Sequence, residues 1–238
     1  MTSALHPIVF EHPSELFERI AAEFQALAHG SQPQLVCLAT GSSFADFYSS
    51  LDEGAACLQA PFVFTNLDEY AGFQVDSPGG MAWELRQKLP ALKRLQELGR
   101  FFPFPNDASE LPTHAKRIQS LGGVALQLLG IGRNGHLAFN EPGGDPGAHF
   151  NTVQLHPWTI ADMGARFDPA PAPSSALTSG LADILSARRI VLVARGAGKA
   201  EAVRRMLQEP VQLDCPASQL QGHANVTLLL DPAAASRL

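Results

Sequence analysis

Four short polar clusters in this chain each follow an apolar run, and each holds residue types that bind anions or move protons. They are Thr40-Gly41-Ser42-Ser43, Asp68-Glu69-Tyr70, the stretch from Gly130 to Glu141 with Asn134 and His136 inside it, and Gly196-Ala197-Gly198-Lys199. Thr40, Gly41, Ser42 and Ser43 precede a helical pattern, so their backbone N–H groups and hydroxyls can hold an anion at the positive end of a helix. The spacing is neither a Walker A loop nor G-x-G-x-x-G, and alone it reads as a glycine turn with serine caps. Lys199, at the head of another helical pattern, offers a matching cation. Asp68 and Glu69 are adjacent carboxylates that point to different sides, so one can face a site as a general base while the other serves a cap or a salt bridge. His136 and Glu141 lie five residues apart in one loop, close enough for the carboxylate to orient the imidazole. Asn134 sits beside that histidine, where an acid–base loop invites a second carboxylate.

These clusters need a scaffold that brings them to one place. Leu16, Ile20, Phe24 and Leu27 recur at helical spacing after Pro13, which predicts an amphipathic helix over about residues 13–29. Residues 34–39, 61–66, 124–132, 189–195 and 225–231 are apolar runs that read as strands. The second runs straight into "LDEYAGF", and "FADFYSSL" and "GAGKAEAVRRML" read as helices after turns. The segment from Gly79 to Leu98 is helical in pattern, with Pro90 kinking or splitting it. Apolar strands without alternation, separated by helices, predict an α/β fold: a mostly parallel sheet with helices on both faces. No internal repeat or long linker divides the chain, so residues 1–238 are expected to form one domain, with the Pro/Ala stretch 168–175 as a loop near the site. In open parallel sheets ligands bind outside the carboxyl ends of the strands, which is where all four clusters fall.

Bulk properties narrow the partners. The chain has 238 residues and a net charge of -6, without the basic footprint of a nucleic-acid binder. No run approaches the ~18 apolar residues of a membrane span, and the first residues lack the basic and apolar regions of a secretory leader. The three cysteines, Cys37, Cys57 and Cys215, show no metal-like spacing and cannot all pair, which predicts a reducing, cytoplasmic setting. Cys37 and Cys57 are expected to pack, and His223 to be structural.

In order and spacing, "TGSS", "NLDEYAGF", "GIGRNGHLAFNEPG", "ARF", "ARGAGKAEAV" and "CPASQLQGHANVTLLLD" resemble the glucosamine-6-phosphate deaminase family, from about residue 35 to 231. The resemblance implies a Rossmann-like sheet of the superfold shared with ribose-5-phosphate isomerases, CoA transferases and 6-phosphogluconolactonases. It implies conversion of a 2-amino-2-deoxy-hexose 6-phosphate to a ketose 6-phosphate and ammonia, with no cofactor and no metal. Asp68 stands at the family's enolisation base, His136 at its ring-opening residue and Glu141 at that residue's carboxylate partner. The Ser42–Ser43 turn, Arg166 and Lys199 stand where the phosphate is held.

Two departures bear on substrate. Ser43-Phe44 replaces a common Thr-Pro, keeping a hydroxyl. Asn134 stands where glucosamine-6-phosphate deaminases usually carry an aspartate, so Glu141 is expected to take over the charge opposite the imidazole. The galactosamine-6-phosphate branch also shows "NGH" here, which makes the C4 epimer a second substrate candidate. The competing readings are a 6-phosphogluconolactonase, whose pattern resembles "DER" and "DGHTASLFPG" and lacks the "FNEP" glutamate, and a sugar-phosphate sensor without turnover. The short tail after the last strand predicts no C-terminal allosteric extension, and the sequence leaves a homo-oligomer open.

Overall fold

The computed structural model describes residues 5–28, 32–59, 61–157, 159–161, 167 and 172–238. Its strands are β1 (Pro7–Val9), β2 (Gln34–Leu38), β3 (Phe62–Asn66), β4 (Asp68–Tyr70), β5 (Val124–Leu129), β6 (Asn151–Gln154), β7 (Ser175–Thr178), β8 (Ile190–Ala194) and β9 (Val226–Leu230). The helices are α1 (Pro13–Leu27), α2 (Ala45–Ser49), α3 (Met81–Lys88), α4 (Ala91–Glu97), α5 (Leu111–Ser120), α6 (Leu181–Leu185) and α7 (Ala200–Gln208).

Every residue of β5 and β8, and all of β2 after Gln34, is buried. A strand buried on consecutive residues is covered on both faces, as its unbroken apolar sequence requires. These strands form the middle of a six-stranded sheet of order β1-β9-β8-β5-β2-β3, in which every pair is parallel. The chain passes from β2 to β3 on one side and places β5 on the other, so the order reverses at β2. A crevice opens at the carboxyl ends of strands that diverge in this way. α1 buries Leu16, Ile20 and Phe24 against the main core, the four-residue spacing of one helix face. Its helix stops at Leu27, two residues short of the expectation. The long helical segment is divided as Pro90 dictates: Leu89 leaves helical geometry and α4 begins at Ala91.

A second sheet, of order β4-β7-β6 and antiparallel throughout, was not legible in the sequence. Its strands are three or four residues long, too short for a periodicity to show. "LDEYAGF" is therefore a strand at its start, paired Asp68 to Thr178, and reached from β3 across Leu67 alone. "FADFYSSL" begins on the last residue of a 3-10 turn, Ser42–Phe44, and is helical in the short α2. Among the described residues, no helix is long and apolar enough to cross a membrane.

Candidate active site

β2 and β5 deliver their following loops to the crevice where the strand order reverses, and β4 crosses its mouth. The result is a cleft of about 830 Å³ lined by Thr40, Gly41, Ser42, Ser43, Asp68, Asn134, His136 and Lys199. Glu141 joins it through contacts with Asn134 and His136. Nine of the ten site residues expected from the sequence thus converge, and the tenth, Arg166, lies outside the described residues.

The two adjacent carboxylates divide their work. Alternation along β4 sends Asp68 to the cleft and Glu69 to the other side. Glu69 accepts backbone N–H bonds from Tyr70 (2.9 Å), Met81 (2.8 Å) and Ala82 (2.9 Å), tying the first turn of α3 to the strand. Burial raises its carboxyl, and those three bonds oppose the rise. Asp68 is 7 % exposed. Burial first, and the neighbouring Glu69 charge second, push its carboxyl up to about 8. A carboxylate desolvated in this way is a strong base when ionised.

The loop after β5 folds tightly around the histidine. The backbone N–H of Gly132 donates to the carbonyl of His136 at 3.0 Å. A Cβ on Gly132 would lie 2.3 Å from the imidazole, so only glycine lets the ring rest on the main chain. Gly135 has φ +88° and packs against Cys215, where a Cβ would come within 2.7 Å of Sγ. Ala138, on the cleft wall, holds the left-handed φ of 52°, backbone strain of the kind found at functional sites. The loop is fastened to β7 by the Phe139 N–H to Thr178 Oγ1 (3.2 Å) and by the Asn140 amide to the Ser179 carbonyl (2.8 Å).

Asn134 does not bond the imidazole. Its Oδ1 accepts the backbone N–H of His136 (3.1 Å), and its Nδ2 donates to Glu141 Oε2 (2.7 Å). That same Oε2 stands 3.5 Å from His136 Nδ1, too long for a good hydrogen bond. Thr159 donates to Glu141 Oε1 at 2.6 Å. Burial raises the Glu141 carboxyl, but His136, Thr159 and Asn134 together outweigh it and hold it down to about 2. Glu141 is thus held as a carboxylate facing His136.

Cations gather at the other end. Lys199 follows β8 on a turn whose Gly196 N–H is held by the Asp231 carboxylate (2.9 Å). Arg195 pairs with Asp46 at 2.6 Å, joining the end of β8 to α2 beyond the Thr40–Ser43 loop. Lys88 reaches the cleft from α3 and donates to the Thr40 carbonyl at 2.6 Å, while Arg133 lines it from the β5 loop. Sequence reasoning missed Lys88, Arg133 and Thr159. Lys88 sits 48 residues from its partner, and only the packing of α3 reveals it. Arg133 stood inside the motif already singled out, which was the available signal.

The model of the family described as glucosamine-6-phosphate isomerases/6-phosphogluconolactonase matches residues 10–229, and the chain belongs to that family. Among curated relatives, a glucosamine-6-phosphate deaminase of Streptococcus gordonii is 40% identical over 205 residues, 84% of this chain and 86% of that protein. Glucosamine-6-phosphate deaminase 1 of Bacillus subtilis is 37% identical over 93% of this chain and 95% of its own length. The solved structure of a monomeric glucosamine-6-phosphate deaminase superposes with a TM-score of 0.83 at 33% identity, covering 99% of this chain and 100% of the other. A 6-phosphogluconolactonase from Trypanosoma brucei shares the fold, with a TM-score of 0.78 at 22% identity over 99% of this chain and 100% of the other.

Proposed function

We propose that this chain is an amino-sugar-6-phosphate deaminase and isomerase, converting glucosamine-6-phosphate or galactosamine-6-phosphate to the ketose 6-phosphate and ammonia. The observation that carries the reading is one cleft that holds a buried carboxyl, Asp68, an imidazole facing a carboxylate, His136 with Glu141, and a Thr/Gly/Ser loop with lysines. Its similarity to deaminases over most of the chain supports it.

The phosphate sits on the Thr40-Gly41-Ser42-Ser43 loop with Lys199 and, by resemblance, Arg166. It supplies binding energy far from the reacting carbons and fixes their orientation. His136 takes the proton of the C1 hydroxyl and returns one to the ring oxygen, so the C1–ring oxygen bond breaks and a C1 aldehyde forms. Glu141 stabilises the imidazolium that carries the proton in between. Ionised Asp68 then takes the C2 proton, leaving a C1=C2 enol as the aldehyde oxygen is protonated. Asp68 returns its proton to C1 while the enamine electrons shift, and C2 becomes an imine. Water adds to C2 and ammonia leaves, giving the ketone. Protons and electrons balance with water as the only co-reactant.

Two features oppose lactone hydrolysis as the activity: Tyr70 stands where the lactonase pattern has arginine, and Glu141 has no counterpart there. Asn134 keeps the galactosamine epimer within the reading, because the galactosamine-6-phosphate branch resembles this chain in its "NGH". The reading includes one domain over residues 1–238 and a reducing, cytoplasmic setting, supported by three buried cysteines that form no disulfide. Incubation with glucosamine-6-phosphate, galactosamine-6-phosphate and 6-phosphogluconolactone, following ammonia, ketose phosphate and acid, tests it. Ammonia and ketose phosphate in equal amounts from one of the two amino sugars is the expected result. Acid from the lactone without ammonia from either sugar overturns it, and binding without any turnover identifies a sensor.

A further inference from the structure

We propose that Thr159 is a positioning residue of the ring-opening pair, holding Glu141 so that one carboxylate oxygen stays opposite His136. The inference rests on the reading of His136 and Glu141 as that pair. Among the described residues, three side chains stand close to the two oxygens of Glu141. Oε2 receives the Asn134 amide at 2.7 Å and faces His136 Nδ1 at 3.5 Å. Oε1 receives the Thr159 hydroxyl at 2.6 Å. Asn134 belongs to the same loop as His136 and moves with it, whereas Thr159 lies 18 residues beyond Glu141 and approaches from a different part of the chain.

The hydroxyl therefore supplies the external reference for the carboxylate. Without it, among the described residues, Glu141 is held only from the loop that it must orient. Rotation about its last side-chain bond could then exchange the two oxygens or carry both away from the ring, since terminal carboxylate torsions are broad. The 3.5 Å spacing to the imidazole is sensitive to such motion, because a contact at that distance has no directional hydrogen bond to restore it. The Glu141 side chain is 15% exposed, so the contact is largely shielded from solvent. Thr159 also lines the cleft, yet its hydroxyl is already committed to Glu141.

The test compares Thr159→Val, which keeps the shape and removes the hydroxyl, with Thr159→Ser, which restores it. Steady-state kinetics on the amino-sugar phosphate turned over by the wild type should give a kcat roughly tenfold lower for T159V, the loss of one hydrogen bond to a charged group. KM should be unchanged, and T159S should recover most of kcat. The second readout does not depend on turnover: a carboxyl carbon NMR titration of Glu141, which should move upward from about 2 in T159V and stay in place in T159S. Failure of the wild type to release ammonia would sink the functional reading, while the titration would still report on the clamp. An unmoved titration in T159V overturns the positioning role, as does an unchanged kcat, or an equal loss in both variants accompanied by a raised KM.

Discussion

A carboxyl that titrates near 8 is mostly protonated at neutral pH, so without substrate bound Asp68 is mainly in the acid form. The rate should follow its ionised fraction. The profile of kcat/KM should fall about tenfold per pH unit on the acid side, with a bend near 8. Asp68→Asn should remove turnover by several orders of magnitude while calorimetry still detects sugar-phosphate binding. A bend near the ordinary aspartate value, or loss of binding to the same degree as turnover, would assign Asp68 a different role. The residue types of this site were legible before the fold because glycine, histidine and carboxylate at strand ends have few other uses in such numbers. The wiring between them was not. Asn134 reads as a partner of the imidazole, but the structure turns its amide to Glu141 and its oxygen to the main chain. Thr159 carried no signal, because a threonine 18 residues beyond the glutamate it meets has no spacing relation to it.

At the level of elements, the parallel strands were legible because burial on both faces demands unbroken apolar sequence. β4, β6 and β7 were not, because strands this short are defined by their partners rather than by a pattern of their own. α5 was missed as well; its helical face buries Leu111 and His114, and His114 packs among Phe102, Phe104 and Phe150. Glu69 links the levels, since one side chain ends a strand's work and begins a helix. Replacing Glu69 with alanine leaves three buried N–H groups without their acceptor and should cost about 2–4 kcal/mol in urea unfolding. Glu69→Gln keeps one acceptor oxygen and should cost less. Wild-type stability in the alanine variant would show that the cap does not hold α3. Because α3 also carries Lys88 and Met81 into the cleft, the destabilised variant should lose activity at temperatures below its unfolding transition.

For the whole molecule, Asp68 and Glu141 pull stability in opposite directions along the pH scale. Asp68 titrates near 8 when folded against 3.8 unfolded, so the folded state keeps a proton that the unfolded state releases. Its contribution is fully present below pH 3.8 and is lost as pH rises through 8. Glu141 titrates near 2 against 4.5, so its contribution is present above 4.5 and lost as pH falls toward 2. Unfolding at about pH 5 and about pH 9 should therefore show a gap between Asp68→Asn and wild type that widens toward the alkaline end in favour of the variant. A gap that does not depend on pH would remove the raised carboxyl from the account.

Sequence drift at β4 is constrained by counting as well as by chemistry. One residue gained or lost between Asn66 and Asp68 would exchange the faces of the strand, sending the helix cap into the cleft and the base into the wall behind it. Both positions would still be carboxylates, and an alignment tolerant of small gaps would score them as intact. Among distant relatives, the length of the step from Asn66 to Glu69 is therefore a better guide to retained activity than the presence of an acidic pair.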